Sequence, residues 1–199
     1  MPIQMDNGQT FLAPAALVPG HFFWLMVGGA VVLVMLGWQL WRRRLQPLRF
    51  AATALLALYL ALLARVTLFP IRLFPWGAPV YARGLGHQVG GVNLALGVLW
   101  DYTADQIGGN LIMLAPLAFF LALLWPRLAG LWANLAACFA ASLAIELLQL
   151  AMNLTYLGNR AFDVNDLLLN TLGSVAGYAA YRLLALWWPR LVTEVRRKV

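Results

Sequence analysis

Charge is what this sequence holds least of. Asp, Glu, Lys and Arg make up 11% of the 199 residues and hydrophobic types 63%, where a soluble domain carries roughly 25% charged residues. A small globule has too little interior to hide that excess. A soluble fold is therefore excluded, and bilayer hydrocarbon is the solvent that accepts such a chain. Cysteine is nearly absent: Cys138 stands alone inside an apolar run, so no intramolecular disulfide can form, and it reads as a small buried hydrophobe. Only His21 and His87 are present, neither beside the polar motifs described below. No Ser-His or Cys-His nucleophile arrangement is visible, and neither zinc, another metal nor a cofactor is expected. Acidic residues number seven against 14 basic ones, a net charge of +7. The bases lie in short runs beside apolar segments rather than along one polar face, which marks topology and anionic-lipid contact and excludes nucleic acid as a partner. The first twenty residues lack a basic leader, so the first apolar run reads as a retained helix. No lipidation motif, internal repeat or low-complexity linker appears, and residues 1–199 read as a single transmembrane domain.

Five apolar runs are long enough to span, each needing about 20 residues. They cover about 22–41, 50–69, 107–125, 131–152 and 167–188. Because they are continuous rather than alternating, they are helices and not barrel strands. The fold class is an all-α, polytopic bundle of about five transmembrane helices. Orientation follows from the bases. With the N-terminus outside, ten of the 14 fall on the cytoplasmic side, among them Arg42-Arg43-Arg44, Arg127, Arg182 and Arg196-Arg197-Lys198. The positive-inside rule thus predicts N-out and C-in. The long connection from about 70 to 106, with Trp76, Tyr81, Trp100 and Tyr102, is expected to lie in the outer interface. Pro126-Arg127-Leu128 predicts a tight inner hairpin.

An ionisable group at the bilayer centre costs at least ~2.5–3.5 kcal/mol, so it calls for a partner or a function. The fourth run carries Ser142, Glu146, Gln149 and Asn153 at spacings of four, three and four, which share one helical face. The fifth opens with Asp163, Asp166 and Asn170, followed by Gly173 and Gly177. The third starts with Gln106 and Asn110, and the second ends at Arg65 and Thr67. Given the topology, Arg65, Asn110, Glu146, Gln149, Asp163, Asp166 and Asn170 all fall near the outer leaflet, with Arg160 in the adjoining short connection. Structural readings compete. Arg65 can snorkel, Asp163 can cap a helix with Asp166 on its dipole, and the asparagines can bond neighbouring helices. Gly173 and Gly177 read as close packing and Pro116 as a kink. Glu146, among leucines, calls for a cation such as Arg65 or Arg160.

These residues fall into an ordered series: Ala64-Arg65-Val66-Thr67-Leu68-Phe69-Pro70, the Asn110 helix with Ala115-Pro116-Leu117, and Glu146-Leu147-Leu148-Gln149. Asn159-Arg160-Ala161-Phe162-Asp163-Val164-Asn165-Asp166-Leu167 follows, then Asn170-Thr171-Leu172-Gly173 and Gly177-Tyr178. The series resembles the VanZ-like family of bacterial membrane proteins over about 50–185. Two departures stand out: Ala118 where the family often has glycine, and Val92-Asn93-Leu94-Ala95-Leu96 in place of its Asn-Leu-x-Pro-Phe segment. The resemblance implies the bacterial cytoplasmic membrane and the cell envelope. It carries the theme of resistance to the glycopeptide teicoplanin, without a defined reaction.

Three functions compete. A binding site for an anionic lipid-linked envelope precursor would use Arg65 and Arg160 on phosphate, with Asn110, Glu146, Gln149, Asp163, Asp166 and Asn170 around it. If that site is catalytic, Glu146 or Asp166 is the candidate base, or a carboxylate pairs with Asp163 on a divalent cation. A non-catalytic network would lock four helices and leave an outer surface for membrane lipids, the antibiotic or an envelope enzyme. Transport ranks lowest, because no inverted repeat or pair of interrupted helices is visible.

Overall fold

The computed structural model describes residues 3–11, 16–41, 46–97 and 102–197. Arg42, Arg43, Arg44, Trp100 and Lys198, used above, lie outside the described residues. Long helices form where the apolar runs predict them: α1 (Phe23–Trp41), α2 (Pro47–Leu68), α5 (Leu131–Leu154) and α6 (Val164–Trp187). The third run is two helices, α3 (Ala104–Met113) and α4 (Ala115–Leu124). The break falls at Leu114, two residues before Pro116, which has no N–H to offer the Ile112 carbonyl. The Leu114 N–H turns back to that carbonyl, and the Tyr59 hydroxyl donates to Met113 O at 2.7 Å. The kink is thus bridged by a side chain from α2.

Four segments are long and apolar enough to cross a membrane: α1, α2, α3–α4 together, and α5. The fifth expected span, α6, is 24 residues long, yet falls outside that group. Its position explains the lower apolarity. α6 packs against α3, α4, α5 and α7 and buries Asn165, Asn170, Ser174, Tyr178 and Tyr181 among them. Less of it faces lipid, so less of it needs to be hydrocarbon.

The buried faces invert the pattern of a soluble helix. The residues α5 buries are Asn134, Cys138, Ser142, Glu146, Gln149 and Asn153, while Trp132, Phe139, Leu147 and Leu148 are exposed. Where the solvent is lipid, polar groups seek partners inside and hydrocarbon faces out. Asn134 shows how they are satisfied: its amide donates to Ala118 O at 3.0 Å and Leu128 O at 3.1 Å. Gly173 and Gly177 allow α6 to lie directly on the kink. A Cβ on Gly173 would sit 1.8 Å from Leu111 O, and one on Gly177 1.7 Å from Ala115 O.

A short amphipathic helix, α7 (Pro189–Arg196), follows and buries Val192 and Val195. Its Arg196 reaches Leu123 O, Ala122 O and the Tyr181 hydroxyl, closing the free carbonyl end of α4. The sequence reading missed this helix, which is too short and charged to register as a span.

At the opposite end the connections fold into a cap. β1 (Ile3–Gln4) pairs antiparallel with β2 (Thr10–Phe11), β3 (Ala16–Val18) antiparallel with β4 (Ile71–Leu73), and β5 (Val92–Asn93) parallel with β6 (Phe162–Asp163). Ile3, Met5, Val80 and Tyr156 form a small core of their own, with Phe11, Phe74 and Tyr81 around it. Tyr156 holds a positive φ of 62° just past α5, a position that favours glycine. Complete burial of its ring and the 2.8 Å hydrogen bond from its hydroxyl to Gly84 O hold it there. The long connection expected at the outer interface is built into this cap, with Trp76 fully exposed at its surface.

Candidate functional site

The helix ends at the cap leave backbone groups to satisfy, and the polar side chains take them. α2 ends with free carbonyls. Gln149 donates to Thr67 O at 2.9 Å, and the Arg160 guanidinium donates to Val66 O at 3.0 Å. α6 begins with free N–H groups, and Asp163 caps it by accepting from the Asn165 N–H at 2.8 Å. Asp163's other oxygen accepts from the Asn93 amide at 2.8 Å, across the β5–β6 pairing.

Glu146 is 1% exposed, and its Oε2 accepts the Asp163 backbone N–H at 2.9 Å. Among the described residues it has no salt bridge. Its hydrogen-bond partner is a backbone amide at the helix junction. Of the two cations expected, Arg65 or Arg160, neither forms a salt bridge with it, and Arg160 acts on it through its charge. One turn into α6, Asp166 accepts from the Tyr102 hydroxyl at 2.8 Å and from the Asn110 amide through the same oxygen. Another turn deeper, Asn170 donates to Ser142 Oγ at 3.1 Å, and its own carbonyl oxygen is buried without a partner among the described residues. Burial, together with the hydrogen bond Tyr102 donates to Asp166, pushes the Tyr102 phenol well above its ordinary pKa.

Three residues outside the sequence-predicted set organise this end. Asn165 accepts from Gly97 N–H at 3.1 Å and donates to Ala95 O at 2.8 Å, pinning the 95–97 segment onto the start of α6. Asn93 donates to Asp163 and Tyr102 to Asp166, tying residues before and after that segment to the same helix start. Asn165 belongs to the quoted Asp163-Val164-Asn165-Asp166 run, where its type was a signal. Tyr102 carried none, because only the fold brings it to Asp166.

A groove of about 530 Å³ opens beside this network. Tyr59, Leu62, Leu63 and Val66 of α2 form one wall, and Gly109, Ile112, Met113 and Pro116 form the other. Leu62, Val66 and Ile112 are exposed, so the groove opens on the flank of the bundle. Asp105, Gln106, Asn110, Arg160 and Asp166 also line it. Glu146, Gln149, Asp163 and Asn170 stand behind it in the helix-end network. Arg65 is not among the lining residues; its side chain packs by Gly20.

A family model described as VanZ/LLP1 matches residues 56–185 of the chain. No curated protein and no solved structure matches it.

Proposed function

The chain belongs to the VanZ/LLP1 family, and we propose that it binds a phosphate-bearing lipid of the cell envelope in the groove between α2 and α3–α4. One observation carries this reading: an apolar flank opening of about 530 Å³ has an arginine in its lining. The volume falls in the range of about 300–1,000 Å³ that suits a ligand. Acyl chains would lie along Leu62, Val66 and Ile112, and the phosphate would meet Arg160. Its guanidinium has five N–H donors, of which one is on Val66 O. Membrane phospholipids and lipid-linked envelope precursors both carry such a headgroup. The orientation reading puts this end at the outer leaflet of a bacterial cytoplasmic membrane, where the glycopeptide theme of the resemblance also points.

Binding is favoured over catalysis because Glu146 is committed to a backbone amide.

The test uses a phospholipid with a photoactivatable acyl chain, reconstituted with the full chain. Gly109 lines the groove, and a Cβ there meets nothing within 4 Å, so Gly109→Trp plugs the opening without touching the backbone. The wild type is expected to label at α2 and α3–α4, and the variant to lose at least ~90% of that labelling at unchanged thermal stability, as steric exclusion requires. Equal labelling of both proteins overturns the groove reading. Expression of the two beside a teicoplanin-tolerance measurement then asks whether the groove underlies an envelope phenotype.

A further inference from the structure

The charges around the groove say which headgroup it takes. Three ionic side chains line it: Arg160, Asp105 and Asp166. None is in a salt bridge among the described residues, although all three border one opening. Asp166 uses a single carboxylate oxygen for both of its hydrogen bonds. A carboxylate has about four acceptor positions, so its second oxygen is available. Asp105 is exposed in the first turn of α3. The sum of the three formal charges is −1. A purely anionic headgroup would satisfy Arg160 while facing two carboxylates of its own sign, a repulsion strengthened by the low dielectric of the lipid flank. A headgroup with phosphate at one end and an ammonium at the other satisfies both signs.

We propose that the groove selects a zwitterionic aminophospholipid, its phosphate on Arg160 and its primary ammonium between Asp105 and Asp166. A primary ammonium has three N–H donors to give to carboxylate oxygens. A quaternary ammonium has none and fits less well. This selection rests on the groove reading above and names its ligand class. It also ranks lipid-linked phosphates, which carry no ammonium, as the weaker occupants.

The experiment displaces the photoactivatable phospholipid from the full-length protein in micelles with dioleoyl lipids that differ only in headgroup. Phosphatidylethanolamine is expected to compete about tenfold or more better than phosphatidylglycerol or phosphatidic acid, with phosphatidylcholine between them, because it alone makes both sets of charge-assisted bonds. Asp105→Asn combined with Asp166→Asn keeps the acceptors for Tyr102 and Asn110 and removes both charges. It is expected to bring phosphatidylethanolamine and phosphatidylglycerol within about twofold of each other. Arg160→Gln is expected to weaken all four lipids together. If phosphatidylglycerol competes as well as phosphatidylethanolamine against the wild type, the selection is overturned while the groove reading stands. If no lipid competes and Gly109→Trp labels normally, both fall.

Discussion

Glu146 shows how a carboxylate is kept inside this bundle by a backbone amide, with Arg160 acting on it through its charge and no salt bridge among the described residues. Its acceptor oxygen closes a backbone N–H at the α5–α6 junction, so what the fold requires of it is an acceptor, and the charge is secondary. Glu146→Gln retains an acceptor at that position. It is expected to change stability by under ~1 kcal/mol, whereas Glu146→Leu strands the Asp163 N–H and costs ~1–3 kcal/mol. Apparent melting temperatures of the two variants in one detergent check the difference, and equal losses would show that the charge itself matters. Tyr102 makes a prediction in pH. Its phenol pKa is raised in the folded protein, by burial first and then by the hydrogen bond to Asp166. A proton held more tightly in the folded state contributes stability that is fully present below the unfolded value of about 10 and is lost as pH rises beyond it. Tyr102→Phe should therefore be less stable than the wild type at neutral pH, and the gap should narrow above pH ~10. A constant gap across alkaline titration would contradict this.

At the scale of elements, α6 is the helix on which α3, α4, α5 and α7 pack, and two glycines set how closely α3 and α4 approach. The Cβ positions of Gly173 and Gly177 would fall well inside contact distance of Leu111 O and Ala115 O. Those atoms are backbone and cannot swing aside. Ala at either site forces α6 off the α3–α4 kink, with an expected loss of ~3 kcal/mol or more. Gly108, on the same α3 helix, has nothing within 4 Å of its would-be Cβ. Gly108→Ala should be neutral or stabilise by up to ~1 kcal/mol through helix propensity. Size-exclusion profiles and melting temperatures of the three variants separate these outcomes. A well-folded Gly177→Ala would mean that the helices do not approach as closely as described.

For the molecule as a whole, the two ends of the bundle differ in kind. The basic end holds Arg49, Arg127, Arg182, Arg190, Arg196 and Arg197, while the cap end holds Arg65, Arg72, Arg83 and Arg160 along with Asp6, Asp163 and Asp166. The positive-inside rule then predicts the cap outside the cell. Single cysteines test it on a Cys138→Ser background. Trp76→Cys, at a fully exposed site on the cap, should label with an impermeant maleimide in intact cells. Arg127→Cys, exposed in the α4–α5 turn, should label only after permeabilisation. Labelling of Arg127→Cys from outside would invert the orientation.

The membrane class and the positions of the long helices were legible in composition and run length alone, because bilayer thickness dictates both. The buried stripe of α5 was legible too. Residues at three- and four-residue steps share a helix face whatever packs against them, so Ser142, Glu146, Gln149 and Asn153 had to lie together. Asp163 announced itself as a cap by its type and its place before an apolar run. Pairings between distant segments were decided by the tertiary structure. A sequence shows that Glu146 needs a partner; it does not show that a backbone amide arrives before an arginine does. Arg65 and Val66 are neighbours in sequence, yet a step of about 100° around α2 separates them. Val66 lines the groove, and Arg65 packs by Gly20. Tyr102, Asn93 and Asn165 gained their roles from the folding of the cap onto the start of α6, a contact between segments about 60–70 residues apart. The groove itself exists because Pro116 breaks the third span while α2 and α6 hold its two halves, and the volume left beside that break follows from three-dimensional packing.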